Sequence, residues 1–479
     1  MGTRTLLGAT FLAATAVAGA QQAPHAPWRT LVTAHARIHY PPALAAWAQD
    51  VGRRYEGIHA AVVDLVGYES PVPLQVVLAD PRAEPNGMAL PLLAYPYVVL
   101  WATEPRSDDV HGTALSTWTE ELVSHELVHI HHLTRPSRAP RVWDRVFGLP
   151  VGPLVLKCPR WVSEGYATLA EGRITGSGRP HGAMRAAVLR AWARQGKLPE
   201  YELLSEPSGY LGGSMAYLVG SAYLEWLERQ RPREPAILKR FWRHLASRRG
   251  RSFDEAFLKT FGFSARDGYQ RFQAELAHDA LAWEQTLKAR GLREGEPFLR
   301  APGSLRTLEV SPDGKRLLAS LEAPSGSGLR IWSLEPPKPG PAQTAKADPL
   351  NDAPDAAPDM PTPPSVAALP SLNHRVPAEG RWVDDGTVRF TIKRADAEGV
   401  LHPTQALWRL KGGVDLRPAS VPAPARVFLE PIHREGRWVL DYEGRRVPLP
   451  GQAVGRAVLD PSGAALWAGA EVEGIWQVV

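Results

Sequence analysis

The chain has 479 residues, more than one small domain needs at the usual ~100–200 residues per domain. Hydrophobic residues make up 44% and charged residues 22%, which excludes wholesale disorder and allows a sizeable core. Basic residues exceed acidic ones by 55 − 50 = +5 without any long Lys/Arg run, which argues against a dedicated nucleic-acid protein. Cys158 is the single cysteine, so neither an intrachain disulfide framework nor a cysteine-ligated zinc site is available.

At the N-terminus Arg4 precedes an apolar stretch from Leu6 to Ala18, followed by the small residues Ala18-Gly19-Ala20. This pattern predicts an export signal over residues 1–20, cut after Ala20. The apolar stretch is shorter than the ~20 residues that span a bilayer. The run from Met88 to Ala102 contains Pro91 and Pro96 and reads as loop plus buried strand. The expectation is an exported protein, periplasmic or extracellular, with no integral span after signal removal.

Leu31–Tyr40 is strand-like, and Pro42–Val66 carries helical spacing through Leu44, Trp47, Val51, Tyr55, Ile58 and Val62. Leu74–Ala79 and Tyr95–Trp101 read as strands, the latter as an edge able to pair with an extended peptide. From Ser116 to Arg290 the periodicity is helical. Thr117-x-x-Glu120 predicts a capping box opening a helix that Pro136 must end, and Trp161–Glu171 predicts a helix closed by Gly172. Further helices are expected near 183–195, 214–230, 235–248 and 265–290. Beyond about residue 300, short strands around Asp/Gly turns recur, ending near Trp332, Trp408 and Trp476, with a weaker unit at 426–449. This repetition predicts β-propeller-like blades, interrupted by a disordered Pro/Ala/Asp-rich insertion at 336–372.

Residues 125–129 read His-Glu-Leu-Val-His. On a helix, positions i and i+4 share a face, so His125 and His129 can chelate one ion while Glu126 holds a water beside it. The flanking Leu122, Val123, Leu127, Val128, Ile130 and Leu133 predict a buried helix. A catalytic zinc takes three protein ligands and leaves a fourth position to water. Glu164, in Trp161-Val-Ser-Glu-Gly-Tyr-Ala, is the candidate third ligand. His132 is a rival, although three ligands on one straight helix reach a tetrahedral ion poorly; His131 is expected to be exposed. Cys158, in an apolar stretch, is expected to pack rather than react.

This pair of motifs resembles the gluzincin pattern of peptidase MA-like, thermolysin-type metallopeptidases, over about residues 29–280. The resemblance implies Zn²⁺ held by His125, His129 and Glu164, with Glu126 as general base toward a zinc-activated water. It also points to Tyr217 as oxyanion donor, with Tyr210 and Tyr223 as competitors. Thermolysin-type enzymes carry an Asp four residues after the glutamate ligand. Here that residue is Thr168, which leaves Glu171 as a candidate orienting group unless it is an exposed helix-end carboxylate. Related aminopeptidases place Gly-x-Met-Glu-Asn on the strand before the motif. Here Gly87-Met-Ala-Leu-Pro lacks that amine-gripping carboxylate, favouring an endopeptidase. Some relatives carry a C-terminal propeller similar to that of Tol-type translocation proteins.

The expected architecture is multidomain α+β. A signal covers 1–20, and a mixed α/β plus helical gluzincin domain covers 27–295. An all-β propeller-like domain covers 300–479. The expected function is zinc-dependent hydrolysis of peptide bonds in a peptide or protein substrate, with no organic cofactor and a possible protein partner on the propeller. The alternative is an inert envelope scaffold acting through that propeller.

Overall fold

The computed structural model describes residues 27–137 and 153–292 with short gaps, most of 304–335, 365–370 and 377–416, and the strands between 428 and 478. The expected signal over 1–20, Thr117, Tyr210 and residues 336–364 lie outside the described residues. The fold is mixed α+β, with several helices and several separate sheets. No described helix is long and apolar enough to cross a membrane.

A five-stranded sheet opens the chain, built from β1 (Arg29–Val32), β2 (Ala36–Tyr40), β3 (Leu74–Ala79), β4 (Gly87–Leu90) and β5 (Tyr97–Trp101). Its spatial order is β1-β2-β3-β5-β4. The inner strands β2, β3 and β5 are parallel, and β1 and β4 add antiparallel edges. Two expectations change here. Leu31–Tyr40 is not one strand but a hairpin, because β1 folds back on β2 with Val32 opposite Arg37. The edge is β4 rather than β5, because Gly87–Leu90 pairs along the outer side of β5.

Helix α1 (Ala45–Val66) buries Ala48, Val51, Tyr55, Ile58 and Val62, the three-to-four-residue stripe that the sequence spells, and stops at left-handed Gly67. Helix α2 (Trp118–Leu133) is buried over nearly its whole length. Helix α3 (Arg160–Thr175) runs past the predicted stop at Gly172 and ends at left-handed Gly176. Then come α4 (Ala183–Arg194), α5 (Met215–Arg229), α6 (Ile237–Leu245), α7 (Phe253–Phe261) and α8 (Ala265–Ala289). One continuous core joins sheet residues such as Ile38, Val76 and Leu100 to residues of these helices. Helices α3 and α5 meet backbone to backbone: a β-carbon on Gly165 would lie 2.6 Å from the carbonyl carbon of Gly220.

The chain separates into two compact units. One comprises Met1–Leu292, Glu398–Val400 and Phe428–Val479; the other comprises Arg293–Ala397 and Leu401–Val427. In the second unit β6 (Ser304–Val310), β7 (Arg316–Glu322), β8 (Gly328–Ser333) and β9 (Ser365–Pro370) form one antiparallel sheet. A second contains β10 (Ala378–Asp384), β11 (Thr387–Ala395), β12 (Leu401–Arg409) and β13 (Gly413–Asp415). The two share a core of Leu318, Leu329, Ile331, Val388, Phe390 and Trp408. Strand β9 corrects the predicted insertion: Ser365–Pro370 is ordered because it pairs with β8, Leu369 lying opposite Leu329. Strands β14 to β20, between Phe428 and Val478, form a four-stranded and a three-stranded sheet. No closed barrel or propeller forms among the described residues.

Candidate metal centre

Helix α2 carries His125, Glu126 and His129, and helix α3 carries Glu164. The two histidines lie one turn apart, with Nε2 atoms 3.1 Å from each other. Oε2 of Glu164 lies 3.5 Å from Nε2 of His125 and 3.2 Å from Nε2 of His129. A tetrahedral zinc with bonds of about 2.0–2.1 Å has edges of roughly 3.4 Å, so this triangle of two imidazole nitrogens and one carboxylate oxygen fits such an ion. His125 and His129 are buried, and Glu164 is partly exposed.

Glu171, two turns beyond Glu164 on α3, is buried and stands 2.6 Å from Nδ1 of His125. The reading of Glu171 as an exposed helix-end group is therefore incorrect. The 3-10 turn Arg179–His181 brings the Arg179 guanidinium onto the same carboxylate, donating from Nε to Oε2 at 3.1 Å. Burial disfavours charge on Glu171, but Arg179 and His125 outweigh it and hold its carboxyl down at about 2. Burial likewise opposes charge on His125, yet hydrogen bonds to Glu164 and Glu171 hold its pKa up at about 9. The two carboxylates thus make a pocket that favours positive charge. Nδ1 of His129 and the hydroxyl of Thr168 are buried without hydrogen-bond partners among the described residues.

Glu126 is buried and burial raises its pKa, while His125 and His129 pull the other way. Its Oε1 approaches Gly87 on the edge strand so closely that a β-carbon there would sit 2.5 Å away. The four residues Asn86, Gly87, Glu126 and His125 line a cleft of about 290 Å³ with Arg160, Arg179, Glu121 and Tyr217. The Tyr217 ring stacks on His125 at 5.9 Å between centroids, and the guanidinium carbons of Arg179 and Arg160 lie 4.8 and 5.4 Å from its centre. Burial pushes the Tyr217 phenol well above its ordinary pKa, and Glu164 adds to that.

The other candidates lie elsewhere. Tyr223 donates to the carbonyl of Ala265 at 2.8 Å inside the aromatic core. His132 is fully buried against Trp242, at 4.2 Å between ring centroids, and Tyr166. His131, expected at the surface, is 3% exposed, because α2 is covered on that side too and the Ser70 amide donates to its Nδ1 at 3.0 Å. Arg160 and Arg179 were not legible as cleft residues: neither sits at a spacing that a motif marks. Neither a protein-family model nor a curated protein matches the chain.

Proposed function

We propose that the chain is an exported zinc-dependent peptidase of gluzincin type, cleaving peptide bonds within an extended chain. The observation that carries this reading is the convergence of His125 Nε2, His129 Nε2 and Glu164 Oε2 at tetrahedral-edge distances, with Glu126 one residue from the first ligand. His125, His129 and Glu164 would hold a divalent zinc, which when bound would supply Lewis acidity and a water of pKa about 7.

The remaining chemistry belongs to the chain's own residues. Glu171 accepts the Nδ1 hydrogen of His125 and so presents its Nε2 lone pair. Glu126 takes a proton from the attacking water and delivers it to the leaving amide nitrogen. Burial raises its pKa, which makes its carboxylate a stronger base for the first transfer. Tyr217 stabilises the oxyanion from the cleft wall, beside two guanidinium groups. Strand β4 lies at the sheet edge over Glu126, and an extended substrate adds there as a further strand. Leu90 on β4 stands where the Gly-x-Met-Glu-Asn pattern of aminopeptidases has its carboxylate, which supports internal cleavage. Export rests on the Arg4–Ala20 pattern. The three- and four-stranded antiparallel sheets beyond residue 300 are of the size of propeller blades.

The test is metal analysis together with hydrolysis of an unfolded protein by the wild type and Glu126→Gln. The variant should keep its zinc and lose 10²–10⁴-fold in rate. Equal activity would remove Glu126 from the reaction and sink the proposed mechanism, and an inactive wild type without zinc at His125 and His129 would leave the inert-scaffold reading instead.

A further inference from the structure

The cleft beside His125 holds two guanidinium groups with different neighbours. Arg179 is taken by Glu171, and Glu121, one turn before His125 on α2, also acts on it. The Arg179 side chain is 12% exposed and belongs to the wall of the cleft. Arg160 is half-buried and lines the same cleft from the first residue of α3, one turn before Glu164. Side chains at i and i+4 share a helix face, so Arg160 lies on the face that carries the third metal-type donor.

One contact that positions Arg160 is aromatic. Its guanidinium carbon lies 5.4 Å from the centre of the Tyr217 ring, which also neighbours His125 and Arg179. A cation beside a ring face is held through its charge. Recognition of a carboxylate instead uses the planar fork of N–H donors, two parallel hydrogen bonds at once. The first residue of this 16-residue helix also stands at its positive end, which adds to the attraction for an anion.

Charge is therefore divided along the cleft. Two carboxylates, Glu121 and Glu171, bear on the one guanidinium of Arg179. Arg160 brings positive charge to the half-buried part, where a solute can reach it. A cleft of about 290 Å³ has room for a substrate side chain with its own backbone.

We propose, on the peptidase reading above, that Arg160 receives the carboxylate of an acidic side chain in the substrate. Peptides with Asp or Glu next to the cleaved bond are then preferred over those with Gln or Lys. Arg160 determines specificity in this assignment and takes no part in bond cleavage.

The test uses the zinc-loaded full chain and peptides blocked at both ends, with Glu, Gln or Lys scanned through the positions flanking the cleaved bond. The readout is the Glu-to-Gln ratio of kcat/KM, which a general loss of activity leaves unchanged. A hydrogen bond to a charged group is worth about 10–100-fold, so wild type should favour Glu over Gln by that factor at one position. Arg160→Gln should abolish the preference, and Arg160→Glu should turn it toward Lys; circular dichroism checks their folds. The wild-type ratio decides on its own if a variant fails to fold. Calorimetric binding of the same peptides to Glu126→Gln should show the same preference and lose it on adding Arg160→Gln. Equal rates for Glu and Gln peptides in wild type, or a Glu preference that survives Arg160→Gln, overturns the proposal. So does faster cleavage of a Gln peptide with a free C-terminus than of the blocked Glu peptide, which puts a chain-end carboxylate at the site instead. If wild type cleaves nothing while Glu126→Gln binds Glu peptides through Arg160, the peptidase reading fails and the acidic-peptide site stands; cleavage without a Glu preference does the reverse.

Discussion

Gly87 on the edge strand and Glu126 on α2 pack so closely that a β-carbon on Gly87 would stand 2.5 Å from Oε1 of the glutamate. A Gly87→Ala variant must push aside either β4 or both the Glu126 carboxylate and the Leu122 methyl, which would lie 2.6 Å from the new β-carbon. An ångström-scale displacement of a reacting group costs on the order of 10²-fold. We expect peptide hydrolysis to fall by about that factor while zinc content holds, with a loss of stability of about 1–3 kcal/mol from the crowding. Full activity in Gly87→Ala would show that Glu126 has no fixed position to lose.

Glu171 is buried, and the Arg179 side chain that holds it is 12% exposed. Replacing it by Gln leaves Arg179 without its carboxylate, at a cost of roughly 3–5 kcal/mol for a broken buried pair. It also exchanges the charged acceptor that orients His125 for a neutral amide, and such outer partners are worth about 10–100-fold in metal affinity. Glu171→Gln should therefore melt earlier and lose zinc to a competing chelator more readily. Adding Arg179→Gln should restore part of the stability but none of the zinc affinity. If both recover together, Glu171 serves packing alone.

Two helix glycines should respond with opposite signs. Gly57 on α1 has open space where a β-carbon would go, so Gly57→Ala should stabilise by up to about 1 kcal/mol through helix propensity. A β-carbon on Gly220 would collide with the Trp161 carbonyl oxygen, so Gly220→Ala should destabilise by at least about 1–3 kcal/mol. Paired denaturant titrations decide it, and matching signs would refute the close helix contact.

Burial pushes the Cys158 thiol up to about 12, against a small pull from Lys157. The thiolate is the reactive form, and at pH 8 such a thiol is ionised at roughly the 10⁻⁴ level. Alkylation of the native chain should run at least ~100-fold slower than after denaturation and keep rising with pH to 11. A plateau near pH 9 would mean an ordinary, accessible thiol.

The metal-type triad was readable because both halves sit on helices whose spacing fixes direction. His125 and His129 are one turn apart on α2, and Glu164 opens α3. What escaped depends on contacts distant in sequence. Ser365–Pro370 looks compositionally like its Pro/Ala-rich surroundings and becomes a strand only through pairing with β8. Arg179 reaches the cleft through a 3-10 turn that no periodicity announces. Helix α7 was missed although its signal was local: Ser252 and Glu255 form a reciprocal capping box. His131 was misjudged because a histidine near a helix end is usually solvated, and here Ser70 and His59 cover it.

The bare contact between α3 and α5 has a mechanical side. Glu164 is the residue before Gly165, and Tyr217 lies three residues before Gly220 on its helix. Backbone touching backbone has no rotamer to adjust and no void to give up, and hydrostatic pressure acts through the voids it eliminates. Under compression, the spacing between Glu164 and Tyr217 should be among the last distances in the molecule to change.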